Sequence, residues 1–225
     1  MGIIGPNGSG KTTLLKIMSR GLKQTSGEIL FKGENIFKLK SRFVASNIAM
    51  VPQEETAIFA FTVFEIVVMG RSPYIKRFSW ETKTDIEIAE KSMKLADVFD
   101  LKDRFIDELS SGEKQRVIIA RGLAQKPKVL LLDEPTSHLD INHQIDIFNL
   151  LKKLNEKENI TIVVVSHDVN LASKYCKRLV LLKNGKVFKH GKANDVVTKN
   201  NIKGVYGINV KLIKNPESNT PNILI

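Results

Sequence analysis

The chain has 225 residues, of which 42% are hydrophobic and 26% charged, a composition typical of globular proteins and unlike that of disordered, collagenous or membrane-spanning chains. No apolar run approaches the roughly 18 residues that a membrane-spanning helix needs, and the single cysteine, Cys176, excludes a disulfide framework or a cysteine zinc cluster. Lysine and arginine number 35 against 24 acidic residues, a net charge of +11 that is compatible with a nucleic acid, an anionic membrane surface or a polyphosphate ligand.

The first third of the chain predicts one helix and two short strands. A glycine-rich turn at residues 5–10 leads into apolar residues at helical spacing, and Gly21 is expected to end that helix. Residues 28–31 and 48–51 are strand-like, and Pro52 closes the second of these strands.

The middle of the chain is predicted to be mostly helical. Residues 80–101 carry one apolar face together with ion pairs four residues apart, such as Glu87 with Lys91. Residues 114–125 form a second strongly helical pattern.

The last part of the chain has the pattern of a parallel sheet. Apolar runs at residues 129–132, 161–165 and 179–182 have no polar interruption, and a helical pattern at residues 144–157 separates the first two. Such runs are typical of strands buried on both faces. An Asn-Gly pair at residues 184–185 predicts a hairpin after the third run.

These patterns together predict an α/β fold with two parts. We expect a parallel-sheet core made of residues 1–53 and 127–225, and an α-helical subdomain inserted between them at residues 54–126.

One segment fits the G-x-x-x-x-G-K-[ST] pattern of a phosphate-binding loop. Its residues are Gly5, Pro6, Asn7, Gly8, Ser9, Gly10, Lys11 and Thr12. Glycines allow backbone N–H groups to face a phosphate, the lysine reaches the terminal phosphates, and the threonine hydroxyl can ligate Mg²⁺. The alternative is an incidental glycine turn before a helix, and a chance match in a chain of this size is on the order of one in a hundred.

Two acidic residues, Asp133 and Glu134, directly follow the apolar run 129–132. Ligands of open parallel sheets bind at the carboxyl ends of the strands. Asp133 is therefore expected to hold Mg²⁺ through its hydration shell, and Glu134 to orient or deprotonate an attacking water. An acidic pair that only ends a strand is the alternative, which a nearby phosphate loop disfavours because Mg²⁺ needs a carboxylate at this edge.

His167 and Gln53 end two further apolar runs. The same edge argument places the His167 imidazole near a γ-phosphate and the Gln53 amide near Mg²⁺ or water. A lone histidine at a strand end is more often a capped surface residue, and Gln53 by itself would be unremarkable.

A second candidate anion site precedes the helical pattern at residues 114–125. It consists of Ser110, Ser111, Gly112 and Glu113, and small residues at a helix N-terminus can bind an anion. An ordinary serine N-cap with a capping-box glutamate fits these residues equally well.

The whole set resembles, in order and spacing, the nucleotide-binding subunit of an ABC transporter. The matching segments are the phosphate loop, Gln53 as the Q-loop, residues 109–113 (LSSGE) as the signature segment, residues 132–134 (LDE) as Walker B, residues 137–140 (SHLD) as the D-loop, and His167 as the switch histidine. Residues 62–74 (TVFEIVVMGRSPY), Glu113 in place of glutamine, and the tail Val205-Tyr206-Gly207 look like the branch that serves iron-siderophore, haem and cobalamin importers.

The resemblance implies a RecA-like P-loop NTPase core that binds and hydrolyses ATP with Mg²⁺. It assigns catalysis to Lys11, Gln53, Glu134 and His167, and metal binding to Thr12, Gln53 and Asp133. ATP would contact residues 5–12 and Thr13 of one subunit, together with residues 110–113 and Asp140 of a second subunit in a head-to-tail homodimer.

The resemblance also implies a location for the chain and a set of partners. An integral-membrane permease would dock near Gln53 and residues 62–74, which places the subunit in the cytoplasm on the inner face of the membrane. The cargo would touch the permease and a substrate-binding protein, never this subunit, and no nucleic acid is expected.

Two features depart from the pattern of the family. Ser111 stands where glycine is usual and adds a side chain near the phosphate. Only four residues precede Gly5, where family members carry antiparallel strands and an aromatic residue that stacks on adenine. We therefore expect these strands to be largely missing, and the absent stacking to remove about 1 to 3 kcal/mol of nucleotide affinity.

Two other hypotheses stay open from the sequence. The net charge of +11 would suit a non-transport ABC ATPase that acts on nucleic acid or ribosomes, although one cassette without a long insertion before the signature segment argues against it. The abrupt start before Gly5 would suit a truncated cassette of weak activity.

Overall fold

The computed structural model describes residues 1–53, 61–76 and 79–224. Residues 54–60 of the expected helical subdomain, residues 77–78 and residue 225 lie outside the described residues. In chain order the elements are β1 (Gly2–Ile4), α1 (Lys11–Met18), β2 (Leu30–Phe31), β3 (Glu34–Asn35), α2 (Ser41–Asn47), β4 (Ile48–Val51), α3 (Val63–Met69), α4 (Lys83–Leu95), α5 (Ser111–Ala124), β5 (Val129–Asp133), α6 (Ile141–Lys157), β6 (Thr161–Val165), α7 (Val169–Tyr175), β7 (Leu179–Lys183), β8 (Lys186–Gly191), α8 (Ala193–Val196), α9 (Lys199–Tyr206), β9 (Lys211–Lys214) and β10 (Pro221–Leu224). In the described part of the chain, none of these helices is long and apolar enough to cross a membrane.

A six-stranded sheet in the order β4-β5-β6-β1-β7-β8 forms the centre of the fold. Its first five strands are parallel, and β8 returns antiparallel to β7 through the predicted Asn-Gly hairpin. The parallel α/β core is therefore confirmed. β1 lies between β6 and β7, where Gly2 faces Val164 on one side and Leu179 on the other.

Layers of helices bury both faces of this sheet. In β5, Leu131 packs with Leu15 of α1 on one face, whereas Leu130 and Leu132 pack with α5 and α6 on the other. All three leucines are fully buried, as the uninterrupted apolar run requires, because side chains of a strand alternate between its faces.

In its described residues, the segment between β4 and β5 contains the helices α3, α4 and α5, which pack against one another. Thr62 and Thr82 begin α3 and α4 as capping boxes, which satisfy backbone N–H groups that have no partner inside the helix. Gly122 lets α5 approach the sheet, since a Cβ there would lie 3.2 Å from Leu130 and 3.4 Å from Val51.

Two predicted boundaries near the start of the chain are wrong. α1 ends at Met18 because Arg20 adopts a φ of 62°, a left-handed conformation that a helix cannot continue, so Gly21 does not end it. Only Leu30 and Phe31 of the strand expected at residues 28–31 are extended, and they pair with β3 in a separate hairpin.

The long helix expected at residues 80–101 is shorter at both ends. It begins after the cap at Thr82, and Trp80, which is 89% exposed, precedes it. It ends at Leu95, two residues before Asp97, which has a φ of 59°.

Candidate functional site

The phosphate loop connects β1 to α1, and glycines set its path. Gly5, Gly8 and Gly10 have φ values of 153°, 72° and 95°, which residues with side chains rarely adopt. At Gly5 a Cβ would lie 2.5 Å from the Leu182 carbonyl oxygen. Gly10 has no side chain to cap α1, so the first N–H groups of the helix remain available to an anion.

Lys11 lies beneath the loop and is 5% exposed. Its Nζ donates to the carbonyl oxygens of Gly5 at 3.0 Å and Pro6 at 3.1 Å. Burial lowers the pKa of Lys11, and the nearby carboxylates of Glu134 and Asp133 partly oppose that shift. The loop therefore holds a buried cation where a phosphate would replace two carbonyl oxygens as its partner.

Thr12 and Asp133 bring two oxygen atoms together beside Lys11. The Thr12 hydroxyl donates to Oδ1 of Asp133 at 3.1 Å, which joins the first turn of α1 to the end of β5. Asp133 is 3% exposed, and burial raises its pKa, although the Thr12 hydrogen bond lowers it in part. A hydroxyl and a buried carboxylate are the donors that suit Mg²⁺, so these residues fit that ion.

Glu134 and His167 face each other across the ends of β5 and β6. Nε2 of His167 lies 2.5 Å from Oε1 of Glu134. Glu134 has a φ of 49°, and its N–H donates to the Val165 carbonyl at 3.2 Å. The carboxylate is 7% exposed, and the Ser137 hydroxyl lies 3.4 Å from its other oxygen.

Gln53 lies at the same edge of the sheet. Val51 of β4 pairs with Leu132 of β5, so Gln53 stands two residues further on, at the level of Glu134. It is exposed, as are Asn7, Gly8 and Thr13. The structure thus brings the residues of the phosphate loop together with those that end β4, β5 and β6, and their individual roles remain predictions.

The signature segment, residues 109–113, lies apart in the chain at the start of α5. Ser110 is the N-cap, and its hydroxyl accepts from the Glu113 N–H at 3.3 Å while the Ser110 N–H donates to Oε2 of Glu113 at 2.8 Å. The hydrogen bonds from Ser110 lower the pKa of Glu113. The capping-box interpretation is therefore confirmed, and the role of Ser110, Ser111 and Gly112 as an anion site remains a prediction.

Asp140 ends the D-loop segment, residues 137–140, and caps α6. Its Oδ1 accepts from the His143 N–H at 2.9 Å, and its Oδ2 lies 2.8 Å from Nδ1 of His143. These hydrogen bonds lower the pKa of Asp140. The sequence predicted that Asp140 lies at the ATP site, but it did not predict the hydrogen bonds to His143.

Two contacts with the phosphate loop come from the C-terminal part of the chain and were not predicted. The Gly185 N–H, in the β7–β8 turn, donates to the Ser9 carbonyl at 3.1 Å. At the end of α9, burial raises the pKa of the Tyr206 hydroxyl to about 12, and its interaction with the Gly5 backbone lowers that pKa in part. The Asn-Gly turn and the Val-Tyr-Gly tail were visible in the sequence, but only as a hairpin and as a feature of resemblance.

Comparison with known proteins places this architecture in a family. Residues 1–137 match the model of the family described as ABC transporter. The chain is 41% identical over 218 residues, 97% of its length and 79% of the relative, to the probable siderophore transport system ATP-binding protein YusV of Bacillus subtilis.

Two solved structures share the fold. A proposed metal-chelate type ABC transporter, in an inward-facing conformation, superposes with a TM-score of 0.86 at 28% identity over 99% of this chain and 85% of that one. The dimeric ATP-binding cassette MJ0796, in a post-hydrolysis state bound to ADP and Pi, gives a TM-score of 0.73 at 34% identity over 85% and 84% of the two chains. With its phosphate loop, its acidic strand end and its capped signature helix, the chain belongs to the ATP-binding cassette family of ABC transporters.

Proposed function

We propose that this chain is the ATP-hydrolysing subunit of an importer for an iron chelate. The observation that carries the hydrolytic activity is the Glu134–His167 pair, in which Nε2 of the imidazole lies 2.5 Å from Oε1 of the carboxylate, beside the buried Lys11 and Asp133. A paired carboxylate and imidazole next to a phosphate loop is an arrangement suited to attack of water on a terminal phosphate.

In this mechanism the chain's own groups bind the phosphates, orient the reacting groups and accept a proton from water. Backbone N–H groups of the loop and the first turn of α1 bind the β- and γ-phosphates, and Lys11 exchanges its carbonyl partners for phosphate oxygens. The Glu134 carboxylate accepts a proton from the attacking water, and His167 holds that carboxylate and the γ-phosphate in position. Thr12, Asp133 and Gln53 would hold Mg²⁺, which supplies charge neutralisation of the phosphate oxygens.

The phosphate loop already serves the nucleotide of its own chain, so we propose that the signature segment, residues 109–113, completes the ATP site of a second subunit. In a head-to-tail homodimer, Ser110, Ser111 and Gly112 of one chain would face the γ-phosphate held by the other, close to Asp140. The dimeric state of the MJ0796 cassette supports this arrangement.

We propose that a membrane permease docks beside Gln53 and the exposed part of residues 62–74, which would keep the subunit at the inner face of the membrane. Met69 and Tyr74 are exposed there. Arg71 is 4% exposed and pairs with Asp85 at 2.9 Å, so it lies beneath this surface and does not form part of it. This assignment treats residues 54–126 as a helical subdomain that carries the permease contact.

The cargo would be an iron chelate of the siderophore type. The siderophore transport relative and the metal-chelate type structure support this class. Haem and cobalamin are the alternatives, and transport assays with the cognate permease and each cargo in turn would separate the three.

The test of the catalytic assignment is the Glu134→Gln variant. We expect ATPase activity to fall at least roughly a hundredfold, whereas ATP binding persists and ATP-dependent dimers accumulate in size-exclusion chromatography. Glu217→Gln is the matched control, because Glu217 is an exposed carboxylate that pairs with Lys174 at 2.7 Å. Hydrolysis at the wild-type rate by Glu134→Gln would refute the assignment.

A further inference from the structure

The first turns of α5 and α6 meet closely. At Gly112 a Cβ would collide with the His143 ring, where Cγ would lie at 2.9 Å and Nε2 at 3.1 Å. A side chain at position 112 would therefore have to displace the His143 ring, a contact inside the chain that is independent of any nucleotide.

His143 is held in that place by the end of the D-loop segment. Both of its hydrogen bonds, through the backbone N–H at 2.9 Å and Nδ1 at 2.8 Å, go to the Asp140 carboxylate. The same segment begins at Ser137, whose hydroxyl lies 3.4 Å from Oε2 of Glu134. A short series of contacts thus runs from Gly112 through His143 and Asp140 to Glu134.

One turn further along, Arg116 forms a second connection between the helices. Its guanidinium lies 3.6 Å from Asp146 of α6 and 3.8 Å from Asp97, which follows α4. Residues four apart on α5 therefore meet residues three apart on α6, so both contacts follow one face of each helix.

An open pocket of about 290 Å³ adjoins these two contacts and is lined in part by Glu113, Arg116, His143 and Asp146. These four lining side chains are all polar or charged, so α5 and α6 are not joined at this point by a continuous apolar interface. Movement of one helix relative to the other is therefore restrained at this point by individual side chains.

We propose that His143 is a positioning residue that, together with Arg116, couples the signature end of α5 to the D-loop segment and so to Glu134. The inference rests on the proposed function: the signature segment would serve the partner's ATP, whereas Glu134 serves the ATP of its own chain. His143 would then transmit the state of one ATP site to the other.

The test compares His143→Ala with His190→Ala, a control that removes an exposed imidazole from β8. In His143→Ala we expect faster hydrogen–deuterium exchange in peptides covering residues 110–118, and unchanged exchange over α1. We expect kcat to fall roughly tenfold, while the ATP dissociation constant of the monomer stays within twofold of wild type. His190→Ala should match wild type in all three measurements.

A second variant, His143→Gln, tests whether misfolding explains the effects of His143→Ala. His143→Gln keeps a hydrogen-bonding group near Asp140 but removes the ring from Gly112, and it should show the same changes. Unchanged exchange at residues 110–118, or a kcat unchanged despite faster exchange, would overturn the inference, as would a parallel loss of ATP affinity. If the wild-type protein hydrolyses no ATP, the proposed function is wrong, whereas the exchange measurement still decides whether His143 holds α5.

Discussion

Nε2 of His167 lies 2.5 Å from Oε1 of Glu134, a contact that joins the ends of two neighbouring parallel strands. It arises from the sheet itself, because β5 and β6 pair along their whole length and Glu134 then turns inward with a φ of 49°. The bond from the Glu134 N–H to the Val165 carbonyl fixes this turn. A carboxylate held in this way needs little reorganisation to meet a water.

His167→Ala tests whether the imidazole acts in the chemical step. We expect kcat to fall roughly a hundredfold, with the ATP dissociation constant nearly unchanged, because the phosphate loop does not depend on His167. Single-turnover hydrolysis and equilibrium binding of a fluorescent ATP analogue measure the two quantities separately. A loss of ATP binding as large as the loss of kcat would contradict a role in the chemical step.

Asp133→Asn is expected to stabilise the nucleotide-free protein while removing its activity. Burial raises the pKa of Asp133, so the ionised carboxylate costs folding free energy, and its neutral isostere should gain about 1 kcal/mol in the free energy of unfolding at pH 7. Chemical denaturation measures this difference.

The pH dependence of that difference has a definite sign. The folded pKa of Asp133 lies above its unfolded value, so the cost is fully present at neutral pH and disappears as the pH falls below about 4. Mg-ATP should reverse the order by binding only the wild type. A less stable Asp133→Asn variant at pH 7 would show that the Thr12 hydrogen bond outweighs the burial of charge.

Tyr206→Phe tests the contact between the end of α9 and the phosphate loop. Removing the hydroxyl deletes its interaction with the Gly5 backbone, and we expect the KM for ATP to rise roughly three- to tenfold, the equivalent of one hydrogen bond. Tyr175→Phe is the matched control, since its hydroxyl bonds to Asn149 at 2.9 Å on the surface of α7. Equal KM values in Tyr206→Phe and Tyr175→Phe would show that Tyr206 does not contribute to ATP binding.

The sheet and the polar residues at its edge could be predicted because both depend on local patterns. Strands buried on both faces must be continuously apolar, as residues 129–132 of β5 and 162–165 of β6 are, and the polar residues that follow such runs emerge at one edge of the sheet. Asp133, Glu134 and His167 were found by that rule alone.

The contacts that connect distant segments could not be predicted in the same way. Gly185 meets Ser9 and Tyr206 meets Gly5 only after β1 has inserted between β6 and β7, and no local pattern specifies that strand order. The close approach of His143 to Gly112 depends likewise on how α5 packs beside α6. Arg71 lies within the permease contact predicted at residues 62–74, and its burial could not be predicted because its partner, Asp85, lies 14 residues further along the chain in α4.

That buried pair supplies the last prediction, Asp85→Asn. The Arg71 guanidinium donates to Asp85 at 2.9 Å and to the Ala124 carbonyl at 2.6 Å, so removing the carboxylate charge leaves a buried cation without its counter-ion and should cost roughly 3 to 5 kcal/mol. The Thr82 hydroxyl and other hydrogen bonds lower the pKa of Asp85, so this stabilisation is present above about pH 4 and is lost as the pH falls further. Denaturation from pH 3 to 7 should therefore show a pH-dependent gap between wild type and Asp85→Asn, whereas Glu217→Gln, which breaks an exposed pair, should follow the wild type closely. Equal losses of stability in Asp85→Asn and Glu217→Gln would show that the Arg71–Asp85 pair does not stabilise the packing of α3, α4 and α5.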